Sequence, residues 1–585
     1  MAVGDNPYQG RSMDDRLLDD YLQELRWLRT ASGEFARRHP HVASRLRLSE
    51  FDCPDPHVER LLEGFALQSA RLHQRLDDGF GELCDSLLEQ LSPHLLRPFP
   101  SCATACFTAD PLAGDLSQGY MLPAGTPLYA QTESGETVWW RTALAQTLWP
   151  IEIENVDWCD AAQARQLSGM AQARGALRIQ LRCLPPHQFS TLAVTQLRIH
   201  LSGSPQINAT LFDLLYAHVI GPLRPHPIGL LNAEKILPSE PGVESSVLAL
   251  SAWMNCPQTL MYFDLPLPST GEGDSITVCI PFDNAPQAAQ HIKPGDIRLG
   301  CVPVINLFTR TSEPLLVEHT QSEHRLVADH HDKNVHIYRV QALWMSRREK
   351  AWRVPAYYSA QGHSEARWFW YARRHRHQGN ALWLTLVDSR FDPYMADEET
   401  SLTATLWCSN GEQAAQLTAG TPLTFEVPGP VAQVHLLGTP TTPSEPALQR
   451  DTRWKLLSSL ALNHLSLVEG EMALASLKEL LALYAPSAAS PAVWQQINGI
   501  REMRCQRVSE HRGGDAWRGW HNGIRVTLTL EQQSFTGNSR LLFAGIIARF
   551  LARNATANCF VRTVLQEDGE ELSLWTEAEQ TALIA

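Results

Sequence analysis

The chain has 585 residues, which at roughly 150 residues per domain gives room for three to five folded units. Hydrophobic residues make up 44% and charged residues 19%, a balance too apolar for a disordered chain. Forty-nine basic residues against 63 acidic ones leave a net charge of −14, and that field would repel a nucleic acid bound through its phosphates. The first predicted element runs from Asp14 to His39. It carries Leu17, Tyr21, Leu25, Leu28 and Phe35 at helical spacing and is closed by Pro40. A second helix starts where Asp55 can cap the first turn and Pro56 fits the first helical position. Its apolar stripe of Val58, Leu62, Phe65, Leu72, Leu76, Leu83 and Leu87 predicts a long helix reaching Ser92-Pro93, unless Gly79-Phe80-Gly81 breaks it.

From Ala103 the period shortens. Leu177-Arg-Ile179-Gln-Leu181-Arg-Cys183 and Leu197-Arg-Ile199-His-Leu201 alternate as half-buried strands do, with a helical interruption near Asn208 to Val219. Turn residues crowd Leu122–Gly125, Pro185-Pro186, Gly221-Pro222 and Ser269–Gly273. Gly411 to Pro446 reads as turns between edge strands followed by a linker. Helical spacing returns at Trp454, Leu457, Leu460, Ala461 and Leu465, and again at Leu474, Leu477, Leu481 and Tyr484. The end alternates at Ile524, Val526, Leu528 and Leu530 and then turns helical from Leu541 to Arg553. These elements predict an α+β chain: an N-terminal helical region over 1–102, β-rich domains over 103–300 and 301–446, and a mixed α/β domain over 447–585.

No motif demands catalysis. The histidines His319, His324, His330, His331 and His336 lack both HExxH and a compact Cys/His quartet, and a surface or strand-edge cluster accounts for them. Arg367-Trp-Phe-Trp-Tyr371 followed by Arg373-Arg-His-Arg-His377 mixes aromatics with cations, and in an acidic chain it reads as a strand leading into a basic loop. GxxxxGK[ST], GxGxxG and GxSxG are missing, and adjacent acids such as Asp77-Asp78 do not face one bond as glycosidase carboxylates must. Twelve cysteines lie scattered without a CxxC, which predicts reduced, mostly buried thiols. The polar segment Met1–Asp15 shows no signal sequence. The apolar run Leu541–Ala552 is interrupted by Arg549 and is too short for a bilayer, so a soluble intracellular protein is expected. Only six of the 49 cations are lysine, an arginine bias that suits interfaces but that genomic base composition also produces.

The N-terminal segments carry a more specific signal. Glu24-Leu25-x-Trp27-Leu28-Arg29, Glu34-Phe35-Ala36 and His39-Pro40 lead into Asp55-Pro56-x-Val58-Glu59-Arg60-Leu61-Leu62-Glu63-Gly64-Phe65-Ala66, and Pro93-His94-x-Leu96-x-Pro98 follows. With Pro303-Val304-Ile305-Asn306-Leu307-Phe308, Leu462-Asn463-His464-Leu465 and Arg549-Phe550-Leu551, this pattern resembles the TssF (ImpG/VasA) family of type VI secretion baseplate subunits across nearly the whole chain. Asp20, Leu22 and Asn410-Gly411-Glu412 depart from the family pattern.

The resemblance implies a structural protein similar to the inner wedge proteins of contractile phage tails. It implies two TssF copies joined to one TssG, with TssK and TssE completing the baseplate and neighbouring wedges surrounding the hub. The chain would then be cytoplasmic and docked at the inner membrane without inserting into it, with no cofactor and no catalytic residue. Leu17, Tyr21, Leu25, Leu28, Val58, Leu62, Phe65, Leu72 and Leu76 are the expected partner-binding residues, entering a helical bundle shared with TssG and the second copy. The competing readings are a metal-dependent hydrolase and a ligand-binding β-sandwich.

Overall fold

The computed structural model describes residues 13–45, 56–238, 243, 245–268, 273–317, 321–332, 334–348, 350–357, 366–375, 380–394, 400–446, 450–460, 473–486, 489–511, 520–553, 559–567 and 570–576. Asp55, His319, Ala461, Leu465 and the turn residues 269–272 lie outside that set. The chain divides into two compact units, one of helices from its N-terminus together with the segment 447–460, the other formed by 92–446 with 461–585.

In the helical unit, α1 (Met13–Arg38) ends just before Pro40, which opens the short α2 (Pro40–Arg45). A proline cannot donate the backbone hydrogen bond that would carry α1 onward. Helix α3 (Pro56–Leu91) begins at the expected proline and runs 36 residues without a break at Gly79 or Gly81. Gly81 has a packing role instead. A Cβ there would sit 2.5 Å from a guanidinium nitrogen of Arg453, whose Nε lies 3.0 Å from the Asp85 carboxylate. Arg453 belongs to the helix Arg450–Leu460, so the missing side chain lets that helix close on α3.

The larger unit is built on a six-stranded sheet with the order Thr424–Phe425, Pro127–Gln131, Thr137–Thr142, Cys301–Ile305, Cys102–Ala109 and Val431–Leu436. Its core face carries Phe107, Leu128, Val138, Trp140, Val302, Val304 and Leu436. The stretch after Gly411 supplies both edge strands, as its turn pattern predicts. Its final part is no simple linker: Thr441 N–H donates to the Cys102 carbonyl, and Ser444 bridges Phe99. The division expected at residue 300 falls inside this sheet, because the strand Cys102–Ala109 pairs directly with Cys301–Ile305.

Between Ile305 and Asn410 the chain leaves the sheet and returns. It forms a five-stranded sheet from Phe308–Thr311, Leu315–Leu316, His336–Arg347, Lys350–Val354 and Ser401–Ser409, and a three-stranded one from His324–Arg325, Phe369–His375 and Ala381–Val387. Asn306 and Asn410, at the exit and re-entry points, are 0% and 1% exposed. The Asn306 amide donates to the Trp139 carbonyl at 2.6 Å and to Asn410 Oδ1 at 3.0 Å. In return, Asn410 N–H donates to Asn306 Oδ1 at 2.8 Å and Trp139 N–H to Asn410 Oδ1 at 2.9 Å.

The predicted alternation at Leu177, Ile179 and Leu181 gives a strand, Gly175–Cys183, between Ile151–Cys159 and Ser275–Phe282. Ser204 caps the helix Pro205–Ala217. This layer shares one apolar core with the C-terminal part, where the helix Arg540–Arg553 joins the parallel strands Trp520–Leu530 and Cys559–Glu567. The apolar run Leu541–Ala552 is therefore a core helix, with Phe543 against Trp253 at 5.1 Å between ring centroids. Arg549, which interrupts that run, donates to the carbonyls of Leu230 and Leu231 and lies 3.0 Å from Glu234.

Two measurements test this packing. Asn306→Ala strands several buried polar partners and should lower the unfolding free energy by about 2–3 kcal/mol in denaturant melts. His200 is 4% exposed and stacked on Tyr262, and burial holds its pKa down to about 4. The unfolded histidine titrates near ~6.5 and takes up its proton first, so stability present above that pH is lost as pH falls toward 4. The loss is on the order of 3 kcal/mol, and urea melts of His200→Gln across that window should lack this component.

Candidate interaction surface

The helical unit carries the residues expected to meet partners. α1 and α3 run antiparallel, pinned by polar pairs: Arg29 with Glu59, and Glu24 with both Ser69 at 3.0 Å and His73 at 3.0 Å. Glu59, Ser69 and His73 lie on one face of α3, which also bears Ala66 and Ala70, both fully buried. Small residues there let α1 come close, and Leu25 of α1 is buried at 8% exposure.

Turned about 100° around α3 is a second apolar stripe that nothing in the described structure covers. Leu61, Phe65, Leu72, Leu76 and Leu83 are each more than half exposed, and Leu87 is 38% exposed. Leu61, Leu72 and Leu83 recur every eleven residues, as do Phe65, Leu76 and Leu87. From Leu61 to Leu87 the stripe extends about 40 Å at 1.5 Å per residue. On α1, Leu18 is 54% exposed and Trp27 63%. An apolar surface of this length on a folded protein is a candidate site of association.

The structure divides the nine residues singled out from the sequence. Leu25 is buried, and Leu17, Tyr21, Leu28 and Leu62 are half-buried. Phe65, Leu72 and Leu76 belong to the exposed stripe, while the side chain of Val58 lies outside the described set. Leu61, Leu83 and Leu87 also lie on this stripe but are not among the nine; Leu83 and Leu87 stood in the predicted helical stripe, and the eleven-residue spacing back from Leu83 points to Leu61.

The described histidines of this group have separate surroundings. His324 is buried on its short strand, His330 lies 2.8 Å from Glu313, and His336 packs against Gly411. Among the described residues no group of three His, Cys, Asp or Glu is placed to hold a metal. In the aromatic and basic segment, Arg374 donates to the carbonyls of Ile337 and Tyr338, and His375 lies 3.3 Å from Glu323. Arg374 is thus engaged inside the fold.

The α+β fold and the uncovered face of α3 are features expected of a subunit of a larger assembly. The model of the family "Type VI secretion system, TssF" matches residues 13–581. The chain is 29% identical to the type VI secretion system component TssF1 of Pseudomonas aeruginosa PAO1, with 95% of this chain and 98% of that protein aligned. Its fold is similar to a chain in the cryo-electron microscopy structure of a type VI TssK-TssF-TssG baseplate subcomplex, with a TM-score of 0.72 and 23% identity over 88% of this chain and 98% of the other. A chain of a type VI baseplate complex gives a TM-score of 0.60 and 21% identity over 96% and 99%. The chain belongs to the TssF family of the type VI secretion system.

The two faces of α3 should respond differently to substitution in the isolated chain. Leu72→Gln with Leu76→Gln should leave the melting temperature nearly unchanged, since exposed positions usually shift stability by no more than about 0.5 kcal/mol. Ala66→Leu should cost about 1–3 kcal/mol by forcing α1 away, which scanning calorimetry would read as a lowered transition.

Proposed function

We propose that this chain, a type VI secretion baseplate subunit by family, works as a structural part of the baseplate wedge without catalysing a reaction. It assembles with TssG, with a second copy of itself, and with TssK and TssE, as two chains on one TssG. The observation that carries this reading is the uncovered stripe from Leu61 to Leu87 on α3, which needs apolar helices from other chains. The solved chain of similar fold belongs to a TssK-TssF-TssG baseplate subcomplex. Among the described residues no helix is long and apolar enough to cross a membrane, which fits a cytoplasmic wedge docked at the inner membrane through other components.

The mechanism is geometric. Several rigid units in one chain hold several neighbours at fixed spacing, so the wedge supports sheath and tube in the loaded state. A change of wedge contacts then releases contraction.

Leu72 and Leu76 would each contribute about 1.5 kcal/mol on burial, so removing both weakens the complex roughly a hundredfold. Charges in their place cost more. In co-expression with TssG, Leu72→Glu with Leu76→Glu should abolish co-purification while the variant keeps the melting behaviour of the parent. Co-purification at parental yield would overturn the assignment of this stripe to the bundle.

A further inference from the structure

The fold brings together cysteines that are far apart in the sequence. Cys106 and Cys301 stand directly opposite one another on neighbouring antiparallel strands of the six-stranded sheet. Phe107 N–H donates to the Gly300 carbonyl at 2.9 Å and Asn306 N–H to the Ser101 carbonyl at 2.9 Å. These bonds fix the alternation along the ladder and place Cys106–Cys301 at a non-hydrogen-bonded position. Opposed Cα atoms at such positions are about 4.5 Å apart with side chains on one side, a separation that a disulfide spans. Both sulfurs approach the same carbonyl, that of Leu299, at 3.7 and 3.6 Å. Cys106 also lines a cleft of about 420 Å³ with Gln146, Trp149, Arg298 and Leu299, whereas Cys301 does not reach it.

We propose that Cys106 and Cys301 form a redox modification site, in which a small peroxide entering the cleft oxidises Cys106 and Cys301 resolves it to an intrachain disulfide. In the first step the Cys106 sulfur attacks one oxygen of hydrogen peroxide and the O–O bond breaks. Cys106 becomes a sulfenic acid, and the hydroxide released takes up the thiol proton as water. In the second step the Cys301 sulfur attacks the Cys106 sulfur. The S–S bond forms, the S–OH bond breaks, and the hydroxide leaves as water with the Cys301 proton. Two thiols are oxidised by two electrons, and one peroxide is reduced to two waters.

The environment assigns the roles. The hydrogen bond from Cys301, helped by the Arg298 guanidinium and opposed by burial, draws the Cys106 pKa down. That same bond and burial push Cys301 well up. The thiolate is the nucleophile, so the residue at the cleft is also the more reactive one. Cys102 and Cys256 are a second neighbouring pair, each 1% exposed, and neither lines the cleft. They offer proximity without access and so serve as an internal control.

The test uses the full chain, reduced, freed of reductant and exposed to hydrogen peroxide near neutral pH. Remaining thiols are alkylated in denaturant, and the digest is analysed by mass spectrometry without reductant. A linked Cys106–Cys301 peptide that disappears with dithiothreitol is expected, with two of the twelve thiols lost to titration and no Cys102–Cys256 linkage. The oxidised protein should melt a few degrees higher, reversibly. In Cys301→Ser, dimedone should label Cys106, because no thiol resolves the sulfenic acid. Recovery of both cysteines alkylated while the half-buried Cys279 or Cys505 is oxidised would overturn the proposal, as would preferential linkage of Cys102 to Cys256. The parental peptide map decides the matter even where a serine variant fails to fold.

Discussion

The larger unit depends on how two buried asparagines meet. The chain leaves the six-stranded sheet for the five-stranded one at Asn306 and returns at Asn410, and the side chains of these residues bind each other and the backbone of Trp139. Each amide is desolvated, which costs free energy unless its donors and acceptors are met. Here they are met in one arrangement, so the two ends of the roughly hundred-residue excursion are tied by hydrogen bonds as well as by apolar contact. Aromatic and cationic groups close around the crossing: Trp139 lies near Phe308, with the Arg310 guanidinium 5.0 Å from the Trp139 ring. The family resemblance included Asn306 in its Pro303–Phe308 run, and Asn410 keeps its partner although the two residues after it depart from the family pattern.

Much of the local structure was legible in the sequence because it is set by local causes. Pro40 and Pro56 bound helices through a missing donor, and the alternation at Ile524, Val526, Leu528 and Leu530 is a strand because one face is buried. What a period cannot supply is a partner. The six-stranded sheet gathers Cys102–Ala109, Cys301–Ile305 and Val431–Leu436, whose pairing is non-local, and the boundary expected at residue 300 cuts through it. The candidate surface was half legible for a related reason. One helix carries two apolar stripes, one at α1 and one open, and a list drawn by helical spacing merges them: Leu62 falls toward the first, Phe65 and Leu76 on the second.

The arginine bias has structural uses. Arg549 ties the core helix to the turn at Leu230 and Leu231, Arg374 serves two carbonyls at once, and Arg198 forks onto Asp264 at 2.7 and 3.1 Å. Each contact uses several donors of one planar group, which a lysine ammonium cannot reproduce in the same geometry. Base composition can supply arginines, but at these positions the fold needs their shape.

The repeat on α3 also constrains what can lie along it. Eleven residues advance a helix by about 20° beyond three full turns, whereas seven fall about 20° short of two. A stripe built on elevens therefore drifts opposite in sense to the seam of an ordinary heptad coiled coil. A helix docked along Leu61, Leu72 and Leu83 must stay nearly straight or wind gently in the right-handed sense, and its own apolar residues must follow the same long period. A left-handed zipper helix would lose register with α3 within a few turns, so the face selects its neighbours by pitch as well as by hydrophobicity.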